Sequence, residues 1–229
     1  MKKLSVPMTR YELVLGWIFL VLQLTVLPVV LVAVNFLLGS PMSESGISFA
    51  LFALNFVCVI AIFWRFLWGN MKTASSNIWK TLLVAATGFL AYWTLNLLVG
   101  YLILTFFPDF YNVNDDSIGN LMAESPLLIT LGTVILVPIT EEVLYRGLVF
   151  RGLYNHSRVA AYLVSIAVFG ALHVVSYIGS FQWYHLLLCF VQYLPAGLCL
   201  GWAYAKSNSI WAPILMHMVI NLIGMLAMR

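Results

Sequence analysis

Charged side chains are scarce in this chain. Only 8% of its 229 residues are Asp, Glu, Lys or Arg, whereas 63% are hydrophobic. Soluble domains carry about a quarter charged residues, so the composition excludes an ordinary soluble domain. The formal net charge of +3 comes without a basic tract, which argues against a nucleic-acid partner. We therefore predict an all-α fold, a polytopic transmembrane helical bundle in contact with membrane lipid.

The sequence also lacks any paired-cysteine pattern. Its cysteines, Cys58, Cys189 and Cys199, all fall inside apolar runs, and neither CxxC nor a Cys/His cluster occurs. This distribution predicts neither a disulfide framework nor a structural zinc module. We interpret the three thiols as small buried hydrophobic groups. No pattern in the sequence predicts an oligomeric state.

Long apolar runs account for most of the chain. A helix needs about 20 apolar residues to cross the hydrocarbon layer, and seven runs satisfy this requirement. The first run exceeds the apolar core of a signal peptide, so we expect it to be retained as a span. Only Ala205 and Lys206 separate the last two runs, which predicts a tight helical hairpin. The predicted spans are 12–38, 47–68, 78–107, 126–150, 158–178, 183–204 and 207–227.

The charges between these runs predict the orientation of the chain. Lys and Arg are concentrated in the N-terminal tail and the even-numbered loops, whereas the odd-numbered loops carry only acids. Because cytoplasmic loops are enriched in Lys and Arg, we predict the N-terminus inside and the C-terminus outside. A compact chain with this alternating charge pattern leads us to expect a bacterial plasma membrane. The basic set is Lys2, Lys3, Arg10, Arg65, Lys72, Lys80, Arg151, Arg158 and Lys206, and the acidic set is Glu44, Asp109, Asp115, Asp116 and Glu124.

One sizeable polar stretch interrupts the apolar pattern, at residues 108–125. We interpret it as a solvated outer loop that joins two halves of a single integral membrane domain, 1–229. The second half, 126–227, contains ionisable side chains within its apolar runs, where such groups are unusual.

Ionisable groups within spans cost about 3 kcal/mol or more, so they generally face the bundle interior and mark function. Glu142 and Arg146 lie four residues apart, so they share a helix face and can pair. Glu141 is rotated by roughly 100° and lacks that counter-ion. His173 and His217 lie on two other predicted helices, at depths that allow all of these groups to meet in one cavity.

Several other polar side chains are weaker candidates. His156 and His185 lie near predicted membrane interfaces, and we interpret them as interfacial rather than catalytic. Gln182, Gln192 and Tyr193 are candidates for lining the same cavity, without a pattern that ranks them.

Three motifs follow one another along these helices: EExxxR at 141–146, FxxxH at 169–173 and HxxxN at 217–221. In these motifs the chain resembles the intramembrane proteases of the CAAX prenyl protease and bacteriocin-processing family, also called the Abi family. The resemblance covers roughly residues 126–227, which it identifies as the catalytic core. The first three spans match that family only in character.

The resemblance implies a role for each motif residue. Glu141 and His173 activate a water molecule, while His217 and Asn221 hydrogen-bond the oxyanion. Each such oxyanion contact contributes about 3–4 kcal/mol in known enzymes. The implied catalytic set is Glu141, Glu142, Arg146, His173, His217 and Asn221, and the expected substrate contacts are Phe169 and Tyr145.

A metal requirement is left open by the residues. Two His and one Glu are a possible zinc-binding set with one open position. However, the chain has no HExxH motif, and a Glu–His pair can activate water without a metal.

We expect the substrate to be a membrane-associated or hydrophobic peptide, such as a signal or bacteriocin precursor. A prenylated substrate is the less favoured expectation. Two alternatives to proteolysis are open at this point. One is a non-catalytic membrane protein that confers bacteriocin self-immunity or regulates a sensor kinase, and the other is a proton-coupled transporter with a Glu/His relay.

Overall fold

The computed structural model describes residues 4–39 and 42–228, and nearly all of this part of the chain is helical. Within these ranges an isolated bridge between Ile178 and Phe181 is the only β-type contact. The helices are α1 (Arg10–Leu37), α2 (Glu44–Ile62), α3 (Trp64–Ser76), α4 (Ile78–Phe106), α5 (Val113–Glu124), α6 (Pro126–Tyr154), α7 (Arg158–Leu172), α8 (Trp183–Ser207) and α9 (Trp211–Ala227).

Five of these helices are long and apolar enough to cross a membrane, namely α1, α2, α4, α6 and α8. Helices α7 and α9 are also apolar but contain only 15 and 17 residues. The predicted all-α, multi-pass membrane fold is therefore confirmed. The number of crossings and the orientation remain predictions.

The chain segments between the helices group at two ends of the bundle. At the first end, the Ser5 amide donates to Asn208 Oδ1 at 2.9 Å, and Arg151 Nε donates to the Val6 carbonyl at 3.0 Å. At the second end, the Ser45 amide donates to a carboxylate oxygen of Glu124 at 3.0 Å. This grouping agrees with the charge alternation, although Lys2 and Lys3 lie outside the described residues.

Glu12 joins α1 to α3 at the first end. Its side chain is 1% exposed. One carboxylate oxygen accepts a hydrogen bond from the Phe66 amide at 2.7 Å, and the other accepts from the Thr9 amide at 2.7 Å. Glu12 thus caps the first turns of two helices, where unpaired amides favour a negative charge.

The predicted span 47–68 ends earlier than the sequence indicated. Helix α2 stops at Ile62, and α3 follows as a separate helix. Helix α3 buries Phe66 on one face and exposes Trp64 and Trp68 on another, with their rings stacked 6.1 Å apart. The tryptophans extended the apolar run in the sequence, but they belong to a separate amphipathic helix rather than to the span.

Two other boundaries differ from the predictions. Helix α7 ends at Leu172, well before the end of the predicted span 158–178. The prediction was too long because the apolar sequence continues through the short helical turn that follows the helix. The last hairpin turns at residues 208–210, where Asn208 adopts a left-handed conformation with φ of 61°. Ala205 and Lys206 are helical. The predicted span 78–107 forms the continuous helix α4.

The polar stretch 108–125 contains a helix that its composition did not predict. Asn112 caps α5, because its Oδ1 accepts from the Asn114 amide at 3.0 Å and the Asp115 amide at 3.3 Å. At its far end, Met122 packs with Ile129 and Met225. Helix α5 therefore packs against the second end of the bundle and does more than connect two halves.

Helices α7 and α8 lie unusually close together. A Cβ at Gly197 would come within 2.8 Å of the Ile166 Cα. Ser165 Oγ also donates to the Gly197 carbonyl at 3.2 Å. Small residues allow such backbone approach in membrane bundles. The contact sets the position of α7 and hence of the residue that ends it, His173.

Replacing Glu12 with Ala is expected to destabilise the fold, because the buried Phe66 amide loses its acceptor. We expect a loss of about 2 kcal/mol and a lower midpoint of thermal unfolding in detergent micelles. Glu44→Ala is the matched control, since Glu44 lies in the first turn of α2 but is exposed. Equal midpoints for the two variants would contradict this role.

Candidate active site

Helix α6 is wider than a regular α-helix over two segments, Gly132–Leu136 and Glu142–Phe150. In these segments the backbone hydrogen bonds connect residues five apart. Such π-type turns are rare and occur frequently at functional sites. The second segment contains Glu142 and Arg146 of the EExxxR motif.

The first wide segment positions Asn221 through a freed carbonyl. The Val137 amide bonds to the Gly132 carbonyl, five residues back, rather than to Thr133. The next residue, Pro138, has no amide hydrogen to offer. The Thr133 carbonyl therefore lacks its helical donors and accepts instead from Asn221 Nδ2 at 2.8 Å. A proline in α6 thus determines what an asparagine in α9 binds.

The second wide segment contributes to a buried ionic centre. Glu142 Oε1 accepts from Arg146 Nη1 at 2.9 Å and from His217 Nδ1 at 2.9 Å. Glu142 and Arg146 are 0% exposed and His217 is 3% exposed. The pair that the spacing predicted is present, and it extends to a third residue on α9.

Phe169 packs behind the cavity. The Arg146 guanidinium carbon lies 4.4 Å from the centre of its ring, a cation–π geometry. The ring also lies close to His173 and His217, with centroids 4.6 and 5.7 Å away. Phe169 does not line the cavity described below, so its position supports a packing role rather than the expected substrate contact.

The hydrogen bonds determine which histidine nitrogens are available. His173 Nδ1 lies 2.8 Å from the Phe169 carbonyl oxygen. A carbonyl only accepts, so Nδ1 carries the proton and Nε2 of the neutral ring has a free lone pair. His217 Nδ1 likewise donates to the Glu142 carboxylate. The neutral His217 ring can therefore only accept at Nε2, and the implied oxyanion contact requires its doubly protonated form.

A cavity of about 380 Å³ brings the motif residues together. Glu141, His173, His217 and Asn221 all line it, whereas Glu142 and Arg146 lie behind its wall. Glu141 Oε2 is buried and has no hydrogen-bond partner among the described residues. An unpaired carboxylate oxygen in a polar cavity is a suitable acceptor for a water molecule or a substrate group.

Tyr145 and Tyr193 also line this cavity. The Tyr145 hydroxyl accepts from Gln23 Nε2 at 3.4 Å. The ring of Tyr193 stacks on the His173 ring at 4.2 Å, with an interplanar angle of 26°. Its hydroxyl donates toward Asp115 Oδ1 at 3.0 Å. Sequence reasoning singled out neither Tyr193 nor Asp115 as a site residue, because no local pattern connects α8 with α5, the helix that contains Asp115.

The weaker candidates separate into two groups. Gln192 lines the cavity beside Tyr193. Gln182, His156 and His185 do not, and both histidines bond to nearby backbone carbonyl oxygens near the surface.

The metal-binding potential of these donors was an open question from the sequence. Catalytic zinc sites use three protein ligands. Over residues 4–39 and 42–228, no three His, Cys, Asp or Glu side chains are grouped so that they could hold a metal ion. The side chains as placed do not fit a three-ligand metal site.

Residues 123–223 match the model of the family described as type II CAAX prenyl endopeptidase Rce1-like. The match contains all three motifs, so the resemblance that they predicted is confirmed over this region. Two curated proteins are similar to the chain. "Putative membrane peptidase YdiL" of Bacillus subtilis (strain 168) is 30% identical over 109 residues, 47% of this chain and 40% of that protein. "UPF0177 protein YxdF" of Lactococcus lactis subsp. lactis (strain IL1403) is 29% identical over 114 residues, 48% of this chain and 56% of that protein.

The chain thus spans about half the length of the curated relatives that it matches. Both relatives are bacterial, which is consistent with a bacterial multi-pass membrane protein. No solved structure matches the chain.

Arg146→Ala is expected to destabilise the protein strongly, because the Glu142 carboxylate would lose its main counter-ion at a fully buried position. Breaking a buried pair in this way costs about 3–5 kcal/mol. The measurement is the yield of folded protein and its thermal unfolding midpoint.

The control is Arg158→Ala, since the exposed Arg158 guanidinium also lies over an aromatic ring, 5.3 Å from that of Tyr154. We expect little change for this variant. An Arg146→Ala protein as stable as Arg158→Ala would show that the ionic centre is not needed for folding.

Proposed function

We propose that the protein is an intramembrane endopeptidase that hydrolyses a peptide bond in a membrane-associated or hydrophobic peptide. The observation that carries the proposal is the cavity lined by Glu141, His173, His217 and Asn221. It combines free proton acceptors with groups that can donate to a developing negative charge. The match to the CAAX prenyl endopeptidase family and the name of the Bacillus relative support the same reaction class.

The hydrolysis begins with a water molecule held by Glu141 Oε2 and His173 Nε2. Glu141 takes a proton as the water oxygen attacks the scissile carbonyl carbon, which forms the new C–O bond. When the tetrahedral intermediate collapses, the C–N bond breaks and this proton passes to the leaving nitrogen. The products are a carboxyl terminus and an amine, and the carboxylate is regenerated.

Two side chains from α9 stabilise the oxyanion. Asn221 Nδ2 has two hydrogens, and the Thr133 carbonyl occupies one of them, so the second remains for the oxyanion. His217 donates from Nε2 when its ring is doubly protonated, and its Nδ1 is held by the Glu142 carboxylate at 2.9 Å. Donors fixed in advance need no reorganisation as charge develops.

The uncharged polar lining of the cavity supports a peptide as the substrate. Carboxamide side chains both donate and accept hydrogen bonds, as peptide groups do, so they can replace the water that a peptide main chain loses on entering the membrane. The cavity-lining carboxamides are Gln23, Asn55, Asn96, Asn112, Asn114, Gln192 and Asn221.

Glu141→Gln is expected to reduce hydrolysis by at least about 100-fold, because the amide cannot accept the proton of the attacking water. The thermal midpoint should change little, since Gln has nearly the same shape. Purified protein in proteoliposomes is incubated with peptides extracted from the membrane fraction, and new termini are identified by mass spectrometry. Glu124→Gln is the control, because Glu124 is exposed and does not line the cavity.

Cleavage by Glu141→Gln at the unaltered rate would refute the assigned base. Absence of cleavage by the unaltered protein, together with a cellular immunity or signalling phenotype that survives Glu141→Gln, would favour the non-catalytic alternative.

A further inference from the structure

Helix α5 supplies one wall of the cavity and separates it from a second pocket. This adjoining pocket has a volume of about 460 Å³ and opens at the second end of the bundle. Four residues line both spaces: Asn112, Asp115, Gln192 and Met228. Asp115 therefore lies at the boundary between the outer pocket and the cavity that contains the catalytic residues.

The Asp115 carboxylate is held in place by the residues around it. Tyr193 donates to its Oδ1 at 3.0 Å, and the same Tyr193 ring stacks on His173 at 4.2 Å. Burial raises the pKa of Asp115. The hydrogen bond from Tyr193 and the nearby His173 act in the opposite direction and reduce this increase. The Tyr193 hydroxyl is a neutral donor, so its hydrogen bond does not supply a counter-ion for the Asp115 carboxylate.

Apart from His173 and His217, the charged side chains that line the two adjoining spaces are acidic. Asp115 and Glu141 line the cavity from different helices. Among the described residues, which do not include Arg229, no Lys or Arg lines either space. The guanidinium of Arg146 is paired with Glu142 behind the wall. A cleft lined by charges of one sign attracts groups of the opposite sign, and the effect is strongest where water is limited.

We propose that the cavity takes a positively charged stretch of peptide, and that Asp115 is a specificity-determining residue that pairs with a Lys or Arg side chain beside the scissile bond. This inference rests on the proposed peptidase function, whose substrate class it narrows. Main-chain groups of the same peptide lie against the carboxamides, and its basic side chain lies against Asp115. A free C-terminal carboxylate in this space is disfavoured, because it would face two acids.

The experiment uses the full chain in nanodiscs of zwitterionic lipid, with empty nanodiscs as the blank. The probes are peptides of one apolar sequence, acetylated and amidated at their ends, that carry Lys, norleucine or Glu at a single position. Binding and cleavage are measured on the same peptides. A fourth peptide has the Lys sequence with a free C-terminal carboxylate.

We expect the unaltered protein to bind the Lys peptide at least about tenfold more tightly than the norleucine peptide, as one partly buried charge pair provides. The Glu peptide and the free-carboxylate peptide should bind more weakly than the blocked Lys peptide. Asp115→Asn should abolish the preference for Lys, whereas Asp115→Glu should retain it. Asp109→Asn is the matched control, because Asp109 is an exposed acid in the segment just before α5 and lines neither space.

Equal binding of the Lys and norleucine peptides by the unaltered protein would overturn the inference. So would a preference that survives Asp115→Asn. If Asp115→Asn fails to fold, the comparison of the Lys and Glu peptides on the unaltered and Asp115→Glu proteins still decides it. A preference for Lys without any cleavage would refute the peptidase function alone, and cleavage without the preference would refute this inference alone.

Discussion

The ionic interaction of the buried Glu142 carboxylate with its two partners is the one on which the rest of the site depends. A desolvated charge is costly unless it is paired, and here it is paired with Arg146 in α6 and His217 in α9. Because the Arg146 guanidinium also lies over Phe169 in α7, one ionic group determines the relative position of three helices. The adjacent carboxylate, Glu141, is then free to face the cavity.

Irregular backbone in α6 has a comparable effect on α9. Pro138 offers no amide hydrogen, and the wide turn before it directs the Val137 amide past Thr133. The Thr133 carbonyl consequently holds Asn221 by one amide hydrogen and leaves the other available. In a membrane, an unpaired carbonyl is expensive, so such irregularity is tolerated where a neighbouring helix supplies the missing donor.

Sequence patterns predicted the long apolar helices better than their ends. The number of apolar residues identified the long helices, because length and hydropathy are local properties. Hydropathy did not distinguish the amphipathic helix α3 from the end of a span, since Trp64 and Trp68 count as apolar residues in either position. It also did not predict α5, whose polar composition is typical of a solvated loop but whose Asn112 and Asp115 line the cavity.

By itself, the sequence determined the all-α membrane class, the three motifs and the Glu142–Arg146 pair, because each depends on composition or on spacing within one helix. Only the tertiary structure decided that His217 joins this pair, that Phe169 lies behind the cavity, and that Asp115 lines it. These relations connect residues far apart in the chain. They follow from how the helices pack, which spacing along a single helix does not specify.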